Sequence, residues 1–170
     1  MERICGKTYQ EMDMDEGRRK ISGYDVEELG LGFVRFKGNV SLDIVEAWAA
    51  NLKGFDGTCV LGSKAGLSVD LHGDKLIQHY SEGDSDYDAN VDVNSTLGRW
   101  YNLRENTDAY ESSQGHWLAA LQGRVPLLPT AELGLNTMLI SEGIYLSEKL
   151  GREVTADEVL KESKSSAIKV

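Results

Sequence analysis

Positive charge is in short supply. The chain sets 18 lysines and arginines against 28 aspartates and glutamates, a formal net charge of −10 over 170 residues. That excess repels a nucleic-acid backbone or an anionic membrane surface, so no nucleic acid and no membrane is expected as a partner. No apolar run of ~18 residues exists to cross a bilayer. The opening MERICGKTYQ is not a charged segment followed by the apolar core of a secretion signal, so the expected location is cytoplasmic.

Cysteine is limited to Cys5 and Cys59, with no CxxC spacing and no histidine beside either. That excludes a disulfide framework or a zinc site and predicts two small buried hydrophobes. The histidines are His72, His79 and His116, none with HExxH spacing, and no serine has a recognisable His/Asp constellation. Gly57 to Lys64 has the glycine spacing of a phosphate-binding loop, but it ends Ser-Lys and lies between strand-like runs instead of opening a helix. Gly30-Leu31-Gly32 begins a dinucleotide fingerprint, yet Arg35 stands where its third glycine belongs. The carboxylates of Glu82, Asp84, Asp86 and Asp88 lack the glycine and glutamate of a calcium-binding loop, with Ala89 and Ser95 in those places, and read as a solvated acidic loop. No catalytic, cofactor-binding or metal-ligating residue is therefore expected in this chain.

With 41% hydrophobic and 27% charged residues, the chain is a folding one, and its length suits a single domain over 1–170. Ile4 to Gln10 reads as a strand, and the charged EMDMDEGRRK after it as an exposed loop. VEELGLGFVRF, the turn Lys37-Gly38-Asn39 and VSLDIVEAW form a long hairpin. Val40, Leu42, Ile44 and Glu46 share one face of the second arm. The other face holds Ser41, Asp43, Val45 and Ala47, apolar enough to predict cover on both sides. Three short strands follow in TCVLG, LSVDL and KLIQHY, and a further one is expected near Val91 and Val93.

From Asn106 the period becomes helical. One helix is predicted from an Asn106 or Thr107 cap to about Leu121, ended by Gly123, with Tyr110 and His116 on it. A longer one is predicted from a Thr130 cap to about Gly151, apolar around much of its circumference and so buried on more than one face, with Gly134 and Gly143 admitting a close neighbour. Thr155 and Glu158 make a capping box for a last short helix. Strands first and helices after predict an α+β fold, an open, largely antiparallel sheet with the C-terminal helices packed on one face.

The segment GHWLAALQGRVPLLPTAELGLNTMLISEGIYLSEKLGREVTADEV resembles the ending of the glucose-fructose oxidoreductase, inositol dehydrogenase and related (Gfo/Idh/MocA) proteins. VEELGLGFVRFKGNVSLDIVEAW is similar to that family's Val-Glu-Asp hairpin and LGSKAGL to its Gly-rich turn, so the likeness runs from about Tyr24 to Val159. Gly143 stands where the family usually has alanine. The family's N-terminal Rossmann domain, its Glu-Lys-Pro lysine and its Asp/His pair have no counterpart here, so no catalytic residue carries over.

The resemblance implies the C-terminal substrate-binding and oligomerisation part of an NAD(P)-dependent sugar or polyol oxidoreductase, inactive alone. NAD or NADP is then bound by the parent enzyme's Rossmann domain and none by this chain. It further implies a homo-oligomer formed through the sheet, and substrate contacts at Asn51, Phe55, Tyr110 and His116. A stand-alone, non-enzymatic assembly or ligand-binding module is the alternative reading.

Overall fold

The computed structural model describes residues 1–10, 20–21, 23, 26–48, 57–69, 77–81, 86–89 and 106–164. Packing divides the chain into two compact units, Met1–Gly54 with Pro129–Val170, and Phe55–Leu128. The fold is α+β with antiparallel strands. Where the sequence predicts one sheet, the described residues form two, of three and four strands, one in each unit. Alternation along a strand reports which face is apolar, but not which neighbour completes its hydrogen bonds.

In the first unit β1 (Arg3–Tyr9) pairs with β2 (Leu29–Phe36), and β2 with β3 (Val40–Ala47), all antiparallel. The hairpin is the expected one. Gly38 and Asn39 take φ of 80° and 60°, left-handed values that favour these two residue types in a tight reversal. Long helix α2 (Thr130–Leu150) packs on one face of this sheet, across β1 and β2, and short helix α3 (Ala156–Glu162) packs on α2. Helix α1 (Ser113–Leu121) belongs to the second unit.

The first unit's core is Ile4, Val34, Leu139, Ile144, Val154 and Val159, with Phe36 and Ile44 partly buried against it. Its floor is made of glycine. Gly6 and Gly32 are direct partners across β1 and β2, and the Ile144 side chain occupies the space above both. A Cβ on Gly32 would lie 2.5 Å from Ile144 Cδ1, and one on Gly6 would lie 2.8 Å from Ile144 Cγ2. Gly143 does the reciprocal job on the helix, since a Cβ there would meet Ile4 Cδ1 at 2.7 Å. The expected close approach is thus real at Gly143. At Gly134 nothing lies within 4 Å.

Burial of α2 on several faces is corrected by the structure. Its buried residues are Leu139, Gly143, Ile144 and Ser147, a single stripe, while Leu133, Leu135 and Met138 are all more than half exposed. Apolar content set that expectation, but spacing decides which side chains meet the sheet. The helix ends as predicted at Gly151, φ 65°. The cysteine expectation is also corrected, because Cys59 is exposed and Cys5 only partly buried, both as free thiols. β4 is exposed along its whole length, so its alternation does not bury Cys59.

Polar ties close the same layer. Val154 exchanges backbone hydrogen bonds with Ile4 at 2.8 and 2.9 Å, adding a bridge to the free edge of β1. Tyr145 donates its hydroxyl to Glu27, whose carboxylate pushes the phenol up to about 12. Glu148 accepts from Lys7 Nζ at 2.5 Å, from the Thr8 hydroxyl at 2.6 Å and from the Thr8 N–H at 2.9 Å, and these bonds, Lys7 first, lower its carboxyl to about 2. The expected capping box is present. Thr155 N–H donates to Glu158 at 2.8 Å, Glu158 N–H to Thr155 at 3.2 Å, and Arg152 beside it holds Glu158 near 2 as well.

A depressed carboxylate adds stability above its unfolded value and forfeits it as pH falls through the folded one. Unfolding free energy of the first unit is therefore expected to decline from about pH 4.5 towards 2. Glu148, three-quarters shielded, contributes on the order of 1 kcal/mol of that after solvent screening. Urea titrations at several acid pH values check this, and Glu148→Gln should flatten the decline.

The second unit's sheet runs β4 (Thr58–Leu61), β5 (Ala65–Val69), β6 (Ile77–Ser81) and β7 (Tyr87–Ala89), each antiparallel to the next. The strand expected near Val91 and Val93 falls outside the described residues, as does most of the acidic loop.

Candidate functional site

Of the four substrate-contact candidates, Asn51 and Phe55 lie outside the described residues. The structure brings Tyr110 and His116 together. The helix expected from Asn106 is in fact two pieces, a 3-10 turn over Thr107–Tyr110 and then α1, whose start is capped by Ser112 accepting from the Gly115 N–H at 3.0 Å. Asn106 does not cap by its side chain and sits at φ 58°. Ser-Ser ahead of the apolar run supplies a better cap, because a β-region serine can reach the third amide of the new helix.

Arg124, just past α1, clasps the 3-10 turn. It donates to both Asp108 oxygens at 2.6 and 2.9 Å and to the Asn106 side-chain carbonyl at 3.1 Å. The Asp108 carboxyl is lowered chiefly by this guanidinium, and Arg124 is raised in turn. Both are open to water, so the clasp fixes geometry more than it adds energy.

His116 is buried, 6% exposed. The Leu128 N–H donates to its Nε2 at 3.0 Å, so that nitrogen carries a lone pair, and Nδ1–H donates to the Ala109 carbonyl 3.2 Å away. The ring is therefore the neutral Nδ1–H tautomer. Both nitrogens serve the main chain, stitching the 3-10 turn to the segment beyond α1. The Tyr110 ring lies 5.0 Å from the imidazole at 32° and is 51% exposed, so in this pair the tyrosine presents the surface that a ligand can meet. Sequence spacing held no sign of this, because the partners of His116 are backbone groups 7 and 12 residues away.

The four-stranded sheet holds a polar spot on β6. His79 and Ser81 alternate on β6 and so share a face, and His79 stacks on its cross-strand partner Tyr87 at 4.8 Å and 21°. His79 Nδ1 and Ser81 Oγ are buried and, among the described residues, have no hydrogen-bond partner. Such atoms cost stability unless something meets them, and the hydroxyls of a polar ligand can do so. Period-two spacing of His79 and Ser81 was the legible signal.

The glycine runs do not fit a dinucleotide. Gly30-Leu31-Gly32 lies within β2, paired on both sides, and Gly32 is filled by Ile144, while Gly62-Ser63-Lys64 forms the β4–β5 reversal with no helix after it. Among the described residues, no group of three or more His, Cys, Asp or Glu side chains is placed to hold a metal ion, and no helix is long and apolar enough to cross a membrane. Neither a protein-family model nor a curated protein matches the chain.

The sheet of the first unit carries one more feature. Its face away from α2 presents Phe33, Val45 and Tyr9, each about 40% exposed, with Leu31 beside them. The cover on both sides expected for this strand is corrected, because Val45 is 40% exposed on this face and Val40 58% exposed on the other.

Proposed function

We propose that this chain is the C-terminal substrate-binding and oligomerisation portion of a cytoplasmic NAD(P)-dependent oxidoreductase acting on a sugar or polyol, inactive without its Rossmann domain. One observation carries the reading. The hairpin that resembles the family's own exposes, on the face away from α2, the apolar row of Phe33, Leu31 and Val45. A sheet face of that kind buries itself against another surface, and the occupant is a second copy of the same sheet.

Substrate contact falls to the second unit, where Tyr110 offers an exposed ring and His79 and Ser81 offer unmet polar atoms suited to hydroxyls. The hydride passes on the nicotinamide of the parent enzyme, and proton transfer belongs to residues outside this chain.

Calorimetric titration of the purified chain with NAD(H) and NADP(H) tests the division of labour. No heat of binding is expected. Saturable binding at micromolar cofactor contradicts it, since a cofactor site would then lie in these residues.

A further inference from the structure

At the corner of the three-stranded sheet, where α3 begins, a groove of about 630 Å³ opens between Arg3, Arg35, Lys37, Glu2, Asp157 and Thr155. Arg3 and Arg35 are direct Cα partners across β1 and β2, and Lys37 follows two residues on. Like charges opposed across antiparallel strands work against the sheet, and this chain has few cations to spend. Arg35 is engaged by Glu153, but among the described residues no carboxylate pairs with Arg3 or Lys37. Arg3 and Lys37 thus stand without a direct ion pair at the mouth of a groove whose volume falls in the ~300–1,000 Å³ range of small-molecule sites.

We propose that this groove binds a small phosphorylated polyhydroxy compound. A phosphate monoester carries nearly two negative charges at neutral pH and three acceptor oxygens, so it can engage the Arg3 guanidinium and the Lys37 ammonium together. The groove exceeds what a phosphate alone fills. Glu2 and Asp157 on its wall accept hydrogen bonds, which suits hydroxyls on the organic part and disfavours a second anionic group there. The inference uses neither the apolar row of Phe33, Leu31 and Val45 nor Tyr110, His79 and Ser81, so it can fail while the oxidoreductase reading stands.

Calorimetry at constant ionic strength in chloride, with glucose 6-phosphate, inorganic phosphate and glucose as probes, tests it. Glucose 6-phosphate is expected to bind saturably, inorganic phosphate more weakly and glucose not at all. Arg3→Gln and Lys37→Gln should each weaken the ester roughly tenfold, the loss of about one charge-assisted contact, without lowering the melting temperature of the free chain. Absence of saturable heat from either phosphate probe at millimolar concentration overturns the proposal. So does equal affinity in wild type and both variants, or inorganic phosphate binding as tightly as the ester.

Discussion

Ile4→Ala is expected to lower the unfolding free energy of the first unit by about 3 to 4 kcal/mol, in the upper part of the range for buried isoleucine truncations. Ile4 has no exposed surface and belongs to the cluster with Val34, Ile144 and Val154. Its strand is held there by the bridge to Val154, so the backbone has little freedom to collapse into the cavity. Ile4 also fills the space that Gly143 leaves. An alanine at 143 would place its Cβ 2.7 Å from Ile4 Cδ1 and 2.9 Å from Cγ2. Overpacking of that kind costs ~1–3 kcal/mol, against ~1 kcal/mol gained in helix propensity.

Gly143→Ala alone should thus be destabilising. In the Ile4→Ala background only the Cβ of residue 4, 3.2 Å away, still crowds the new methyl, so the same change should lose most of its cost. A double-mutant cycle read by amide exchange in β1 and β2 measures a coupling of about 2 kcal/mol, and strict additivity contradicts the packing described. The glycine sets how near the helix lies to β1.

Gly6→Ala should cost about as much, roughly 3 kcal/mol, and should resist rescue. Its new Cβ would lie 2.3 Å from the Leu31 carbonyl oxygen as well as 2.8 Å from Ile144 Cγ2. The side chain can be shortened by Ile144→Val or Ile144→Ala, but the carbonyl belongs to the paired strand and cannot yield without breaking the β1–β2 ladder. Gly32→Ala offers the contrast. Its added Cβ meets only side chains, Ile144 Cδ1 at 2.5 Å first, so Ile144→Val, which removes that atom, should restore most of the loss. Equal rescue at positions 6 and 32 would show that the strand carbonyl is not the obstacle.

Those contacts mark the border of what the residues disclose by themselves. The hairpin of β2 and β3 was legible because alternation fixes faces and Lys37-Gly38-Asn39 has the chemistry of a reversal. The end of α2 at Gly151 and the Thr155–Glu158 box were legible for the same local reason. Non-local facts were not. Nothing in the strand pattern says that β3 and β4 belong to different sheets. Nothing in the α2 pattern says that Leu139, Gly143, Ile144 and Ser147, and not Leu133 or Met138, face the sheet.

The candidate site divides in the same way. Tyr110 and His116 meet because a 3-10 turn precedes the helix, since six residues along one continuous helix would not make them neighbours. The engagement of both ring nitrogens follows only from where the Ala109 carbonyl and the Leu128 amide end up.

The assembly claim is tested most directly by the mass of the chain in solution. Multi-angle light scattering over a wide concentration range should return a multiple of 18.8 kDa, and Val45→Glu, which buries a charge at the centre of the outer face, should return the monomer with the fold intact. A monomer at every concentration, or an oligomer that Val45→Glu leaves untouched, would contradict the account.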